Sequence, residues 1–185
     1  MFRKDTTNML GLQRGAVQLV PYTPAWATLF QAERARLQSA LGADALDIQH
    51  IGSTAVPGLA AKPILDLGIA VAAEAVVATC VPRLVALGYT YQGCRGADQG
   101  HFFDQGPEQS LTHYLHVLLI HEAAWSNYLC FRDYLQAHPA ARDAYMRLKQ
   151  DLASRYAEDR AAYTAAKATF VQHILAVAQL GPAAG

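Results

Sequence analysis

The sequence is short of charged residues. Of its 185 residues, 16% are Asp, Glu, Lys or Arg, against about a quarter in an average globular domain. Fifteen basic and fifteen acidic side chains give a formal net charge of zero. Because binding to a large nucleic acid or an acidic membrane relies on many unpaired basic side chains, neither partner is expected. The 52% hydrophobic content excludes an intrinsically disordered chain.

Cysteine motifs and long apolar runs are also absent. The three cysteines are widely spaced and include no CxxC pair, which excludes a disulfide framework or zinc ribbon and favours a reduced, cytoplasmic setting. The most apolar stretch, residues 64–81, is interrupted by Asp66 and Glu74, so no membrane span is predicted. Residues 1–14 lack the apolar centre of a signal peptide.

Periodicity and turn residues predict a loose tail over residues 1–15 and one domain over 16–185. Within that domain, an α/β part over 16–121 precedes C-terminal helices over 122–181. Six strands are predicted, over residues 16–20, 45–51, 63–71, 89–92, 101–104 and 111–121. Five helices are predicted, over residues 24–41, 74–87, 123–137, 140–156 and 158–180.

The segment from residue 50 to residue 66 carries the most chemistry. Gly52 and Ser53 follow a predicted strand, and a glycine–serine corner offers close backbone approach, a hydroxyl and free amides to an anion. Asp66 lies in the next apolar strand, on the face that also carries Gly68. A buried carboxylate needs a partner, and a divalent cation is one candidate. The structural alternative is that Ser53 caps a turn and that Asp66 pairs with Lys62 or an arginine.

Several runs of the sequence resemble the GrpB-like family of the nucleotidyltransferase-like superfamily. The resemblance covers residues 17–178 and is carried by five segments: residues 20–26, 50–66, 112–117, 131–139 and 145–149. Its most specific part is the run GSTAVPGLAAKP. The resemblance implies an α+β fold, with a nucleotidyltransferase-like mixed β-sheet, flanking helices and a C-terminal helical part.

The resemblance also implies a site. In working nucleotidyltransferases a Gly-Ser corner binds the nucleoside triphosphate, and three strand carboxylates hold Mg²⁺ ions. Here Gly52 and Ser53 match the corner and Asp66 matches the first, catalytic carboxylate, whereas Gly68 and His116 stand where the other two are expected. The implied cofactors are ATP or another nucleoside triphosphate and a divalent metal. Asp66 with His116 suits Mn²⁺ or Zn²⁺ better than Mg²⁺.

Other histidines are weaker candidates for this site. His50 precedes the corner by two residues, and His113 is three residues from His116, which places these two on opposite faces of a strand. The alternative for His116 is a hydrogen-bonded core histidine, and the alternative for His50 is a histidine bonded to the backbone at a strand end.

Basic residues are predicted to complete a phosphate pocket. The candidates are Lys62, Arg132 and Lys149, all of which lie inside the family-like runs. Lys167 follows Tyr163 by four residues and is interpreted as a solvated side chain on a helix.

These features predict binding of a nucleotide or another small phosphorylated ligand, with nucleotidyl or phosphoryl transfer to a small acceptor as the catalytic form of that function. The alternative is a catalytically inactive module that binds a ligand or a protein partner. Ser53, Asp66 and His116 are expected to face one cleft, floored by the sheet and walled by the C-terminal helices. The acceptor, the base, the metal and the oligomeric state are left open.

Overall fold

A computed structural model describes residues 9–179. Six helices are described there: α1 (Ala25–Leu41), α2 (Glu74–Ala86), α3 (Ala123–Ala137), α4 (Pro139–Arg155), α5 (Arg160–Ala166) and α6 (Ala168–Gln179). Five strands are described: β1 (Asp47–Ile51), β2 (Leu65–Val71), β3 (Tyr89–Cys94), β4 (His101–Gln105) and β5 (His113–Leu119). This is the α+β architecture that the family resemblance implies.

The strands form one mixed sheet in the order β1-β2-β5-β4-β3. The two central strands, β2 and β5, run parallel, and the other pairs are antiparallel. Helix α2 belongs to the connection between these parallel strands, as a parallel pair requires a long crossover. Both strands are mostly apolar because helices cover the sheet on each side, and Asp66, His113 and His116 are their polar exceptions.

The two faces of the sheet are covered by different helices. Helices α1 and α2 pack on the face that carries Leu65, Leu67 and Ile69, where the largest apolar core lies. The C-terminal helix α3 packs on the other face, where Trp125 contacts Ala70. Asp66 and Gly68 share this second face because successive side chains of a strand alternate. The predicted placement of the candidate carboxylate under the C-terminal helices therefore agrees with the structure.

Three local predictions were wrong. Residues 16–20 do not form a strand, because Pro21 follows directly and only Val20 makes a bridge, to Ala61. The last predicted helix is two helices, α5 and α6, which meet at Lys167.

The third error concerns the loose tail expected over residues 1–15. Residues 1–8 lie outside the described part, but residues 9–15 are held to the domain. Leu12 is buried and pairs with Leu111, and Arg14 forms an ion pair with Asp104. Apolar burial and a specific ion pair thus fix this segment.

No helix of residues 9–179 has both the length and the apolar character needed to cross a membrane.

Candidate functional site

The glycine–serine corner lies directly against Asp66. Strand β1 ends at Ile51, and Gly52 then adopts φ +67° and ψ −168°, a conformation that essentially only glycine adopts. A Cβ atom at Gly52 would lie 2.6 Å from the Asp66 Oδ2 atom. Residue 52 must therefore be glycine for two reasons, its backbone conformation and its contact with the carboxylate.

Lys149 fastens helix α4 to the corner. Its ammonium group donates a hydrogen bond of 3.0 Å to the Ser53 hydroxyl oxygen and a second one to the Ala60 carbonyl. The side chain is only 1% exposed, and its Nζ atom lies 5.0 Å from the centre of the Tyr145 ring. Both hydrogen-bond partners are neutral, so the buried charge of Lys149 has no counter-ion among them.

Burial raises the pKa of Asp66, and four basic side chains oppose that rise through their charges. We call them the cationic cluster: Lys62, Lys149, Arg160 and Lys167. Among residues 9–179, none of the four forms an ion pair with Asp66 or with another carboxylate. The cluster is thus close enough to Asp66 to interact with its charge without forming an ion pair with it, and four basic groups surround one carboxyl group.

Tyrosine rings separate the members of the cationic cluster. The Tyr163 ring centre lies 4.3 Å from the Lys167 Nζ atom and 5.8 Å from the Lys62 Nζ atom. The Tyr114 ring lies 5.7 Å from Lys62 Nζ and 5.6 Å from the Arg160 guanidinium carbon. Because an aromatic face attracts a cation without supplying a counter-charge, these rings hold the cluster together and leave its charge unneutralised.

Burial shifts the pKa values of the whole group. It lowers the pKa of Lys62 and of Lys149 to about 7, and that of Lys167 to about 8. The Asp66 carboxylate opposes this shift, and nearby cations add to it. Burial raises the pKa of Asp66, and the surrounding cations oppose that rise. Perturbed pKa values in one cluster are typical of functional sites.

The positions of the second and third carboxylates do not fit a pair of Mg²⁺ ions. A Cβ atom at Gly68 would lie 3.0 Å from the Trp125 Cζ3 atom, so the indole occupies the space of a larger side chain. His116 stands on the same face, where its Nδ1 atom donates a 3.0 Å hydrogen bond to the Gln99 carbonyl. No group of three or more His, Cys, Asp or Glu side chains within residues 9–179 is arranged to hold a metal.

His116 has the surroundings of a core histidine. Its ring packs against Phe102 and Tyr128, and burial lowers its pKa to about 4. It shares a sheet face with Asp66, as predicted, but its hydrogen bond and its ring contacts are made with other protein groups. Its role as a metal ligand stays a prediction.

The other predicted histidines lie outside the cluster. His50 shares a 2.9 Å hydrogen bond with the Thr54 hydroxyl and stacks on Phe30. His113 contacts the Thr112 hydroxyl and the Tyr89 ring, on the sheet face opposite Asp66. Neither residue therefore joins the corner and Asp66 in one space.

Arg132 is engaged elsewhere. It donates hydrogen bonds of 2.9 Å to the Gln49 side chain and to the His50 carbonyl, and it pairs with Asp133 at 2.7 Å. It clamps helix α3 onto strand β1. The role of Arg132 in a phosphate pocket stays a prediction, and the arginine of the cluster near Asp66 comes from α5.

Arg160 and Lys167 were missed as site residues. Arg160 anchors the N-terminal segment through the carbonyls of Gln13 and Ala16, and Lys167 is only partly exposed, contrary to its interpretation as a solvated side chain. Their spacing with Tyr163, three and four residues, gives a weak signal. A stronger one is composition: the chain has only four lysines, and the three within residues 9–179 all belong to the cluster.

Known proteins share this fold. The profile of the GrpB protein family matches residues 16–177. A glutamate-rich protein GrpB of Alkalihalophilus pseudofirmus is 36% identical over 171 residues, which are 90% of this chain and 98% of the relative. The crystal structure of GrpB from Enterococcus faecalis is 32% identical and superposes with a TM-score of 0.79, over 87% of this chain and 96% of that one.

A more distant structure identifies the fold class. A poly(U) polymerase superposes with a TM-score of 0.53 over 79% of this chain and 49% of its own, at 14% identity. At that identity the likeness concerns the fold alone, which is nucleotidyltransferase-like. Since the family profile spans most of the sequence and the relatives match along nearly their whole length, the chain belongs to the GrpB family.

Proposed function

We propose that this protein binds a nucleotide or another small phosphorylated ligand between the glycine–serine corner and the cationic cluster. The observation that carries the proposal is the convergence of four basic side chains near Asp66, none of which forms an ion pair within residues 9–179. Buried charges without counter-ions are costly for folding, so their presence favours a ligand that neutralises them.

The corner supplies the neutral part of such a site. The Ser53 hydroxyl accepts a hydrogen bond from Lys149 and shares a second one with the Tyr145 hydroxyl, so a phosphate oxygen would compete with Tyr145 for the Ser53 hydrogen. Lys149 itself has a third N–H beyond its bonds to Ser53 and Ala60. Ser53 and Lys149 are therefore the two groups that we propose to contact the phosphate.

Transfer of a nucleotidyl or phosphoryl group to a small acceptor is the second candidate function. It is favoured by the fold and by Asp66, which the family resemblance matches to the first carboxylate of working nucleotidyltransferases. Gly68 counts against transfer, because this position, where the second carboxylate is expected, has no side chain, and Trp125 occupies the space that a larger residue would need. Binding without turnover is therefore the function that the geometry supports best.

A thermal-shift panel of nucleotides and phosphorylated metabolites, with and without Mg²⁺ or Mn²⁺, tests the proposal. A ligand at one hundred times its Kd should add about 2.7 kcal/mol to the free energy of unfolding. Absence of a shift with every compound would remove the proposal.

The same panel with Asp66→Asn tests the carboxylate. A metal-dependent shift that survives this substitution unchanged would show that Asp66 is no metal ligand. Incubation with ATP labelled at the α or the γ phosphate then distinguishes nucleotidyl transfer, phosphoryl transfer and binding alone.

A further inference from the structure

The inference below rests on the proposed function and concerns what neutralises the ligand. We propose that the cationic cluster takes the place of divalent metal ions, so that the site binds a diphosphate or triphosphate group directly, without a metal. The class of ligand is therefore a free polyphosphate ester, such as a nucleoside di- or triphosphate, rather than its magnesium complex.

The geometry of the sheet face leaves no set of oxygen ligands for two ions. Asp66 has no second carboxylate two residues further along β2, since Gly68 faces the Trp125 indole there. The facing position on β5 is His116, which hydrogen-bonds Gln99. Mg²⁺ prefers several hard oxygen ligands in octahedral geometry, and one carboxylate supplies at most two.

The cluster instead brings positive charge from three separate segments to the same place. Lys62 precedes strand β2, Lys149 lies on α4, and Arg160 and Lys167 lie at the two ends of α5. Residues 9–179 contain three lysines, and all three belong to the cluster. Convergence of every described lysine on one carboxylate is the distribution expected of a binding site and not of a solvated surface.

The tyrosine rings keep these cations available. Tyr163 lies between Lys62 and Lys167, and its ring face holds both ammonium groups without hydrogen-bonding them. Lysine presents a compact charge with three rotatable donors, which suits phosphate oxygens in varied positions. The cluster can therefore turn from the rings to a ligand without first breaking an ion pair.

The charge of the cluster indicates the size of the anion. A bound polyanion raises the lowered pKa values of the three lysines, and four cations with one carboxylate then leave three positive charges. A diphosphate or triphosphate ester carries a matching negative charge, whereas an isolated phosphate carries less. Tripolyphosphate should therefore bind more tightly than inorganic phosphate.

Calorimetric titration of the full chain with sodium tripolyphosphate tests the inference. One titration contains EDTA, a second contains Mg²⁺, and a third uses inorganic phosphate. We expect binding in EDTA, weaker binding when Mg²⁺ competes for the phosphate oxygens, and at least about tenfold weaker binding of inorganic phosphate.

Two variants of partly exposed lysines locate the binding. Lys167→Met and, independently, Lys62→Met should each weaken tripolyphosphate binding by at least about tenfold. Arg147→Met is the matched control, because Arg147 is an exposed cation on α4, two residues from Lys149. The control should bind as the unmodified chain does.

The outcomes separate the two proposals. Binding that requires Mg²⁺ would overturn the metal-free site while leaving the proposed function in place. Equal losses in Arg147→Met and in both lysine variants would overturn the assignment to the cluster. Absence of binding in both EDTA and Mg²⁺, with tripolyphosphate and with the nucleotide panel, would remove the proposed function and this inference together.

Discussion

Each side of the sheet has a partly or fully buried carboxylate, one on α1 and one on β2, and their surroundings differ. On α1, Glu33 is 5% exposed, accepts a 2.9 Å hydrogen bond from the Tyr89 hydroxyl and pairs with Arg36 at 2.5 Å. Under the C-terminal helices, Asp66 is surrounded by cations, yet no ion pair to it is found within residues 9–179. Glu33 thus has a hydrogen-bond donor and an ion-pair partner, whereas Asp66 has no ion-pair partner within residues 9–179.

This difference distinguishes structural charge from functional charge. A paired buried group stabilises the folded chain or is nearly neutral, whereas an unpaired cluster lowers stability and persists where function requires it. Under the proposed function the face with the cationic cluster is the binding face, and the face under α1 and α2 is the supporting face.

Gly52→Ala should have the largest effect on the binding face. Alanine is strained in this backbone conformation, and its Cβ atom would collide with the Asp66 carboxylate. The free energy of unfolding, measured by urea denaturation, should therefore fall by about 4 kcal/mol. Gly42→Ala is the matched control, because Gly42 also has a positive φ, of +57°, but has open space around it. It should cost about 1–2 kcal/mol. Equal losses at the two glycines would show that the corner does not press on Asp66.

Glu33→Ala should have the next largest effect, on the supporting face. It leaves the buried Tyr89 hydroxyl without its acceptor, whereas the half-exposed Arg36 regains water. We expect a loss of about 1–3 kcal/mol of unfolding free energy in urea denaturation. Tyr89→Phe removes the other partner and should cost less. If Glu33→Ala left the free energy of unfolding unchanged, the pairing of Glu33 would not stabilise the fold, and the proposed difference between the two faces would fail.

Lys62→Met and Lys167→Met should have a small effect of the opposite sign. Removal of an unpaired, partly buried cation relieves repulsion within the cluster, so the unfolding free energy of the ligand-free chain should stay constant or rise by up to about 1 kcal/mol. Urea denaturation without phosphate in the buffer measures it. A loss above about 1 kcal/mol in both variants would indicate that these lysines hold the fold together, as Glu33 does.

The sequence predicted the fold and the corner better than it predicted the cluster. Gly52, Ser53 and Asp66 are close in the chain and lie at the ends of strongly patterned strands, so their proximity follows from local structure. Arg160 and Lys167 lie about a hundred residues further on, and only the packing of α5 brings them to Asp66. Arg132 has the right charge in a family-like run, but its bonds to β1 are a tertiary feature that spacing does not reveal.

The two faces should also differ in their response to pH. In the unfolded chain a lysine has a pKa near 10.5, whereas in the folded chain Lys62 and Lys149 have pKa values of about 7 and Lys167 of about 8. Between pH 8 and pH 10 the unfolded chain therefore binds more protons than the folded chain, and stability should rise with pH across this window. The raised pKa of Asp66 acts with the opposite sign, but only at and below that pKa, where the folded chain holds the extra proton.

Urea midpoints at pH 7.5 and 9.5 measure how stability changes with pH. This change should be smaller in the Lys62→Met, Lys167→Met double variant and unchanged in Arg147→Met. Added tripolyphosphate should stabilise the chain less at pH 9.5 than at pH 7.5, because the cluster has lost charge at the higher pH. A cationic binding face would be contradicted if the urea midpoint of the ligand-free chain fell with pH, or if the stabilisation by tripolyphosphate grew with pH.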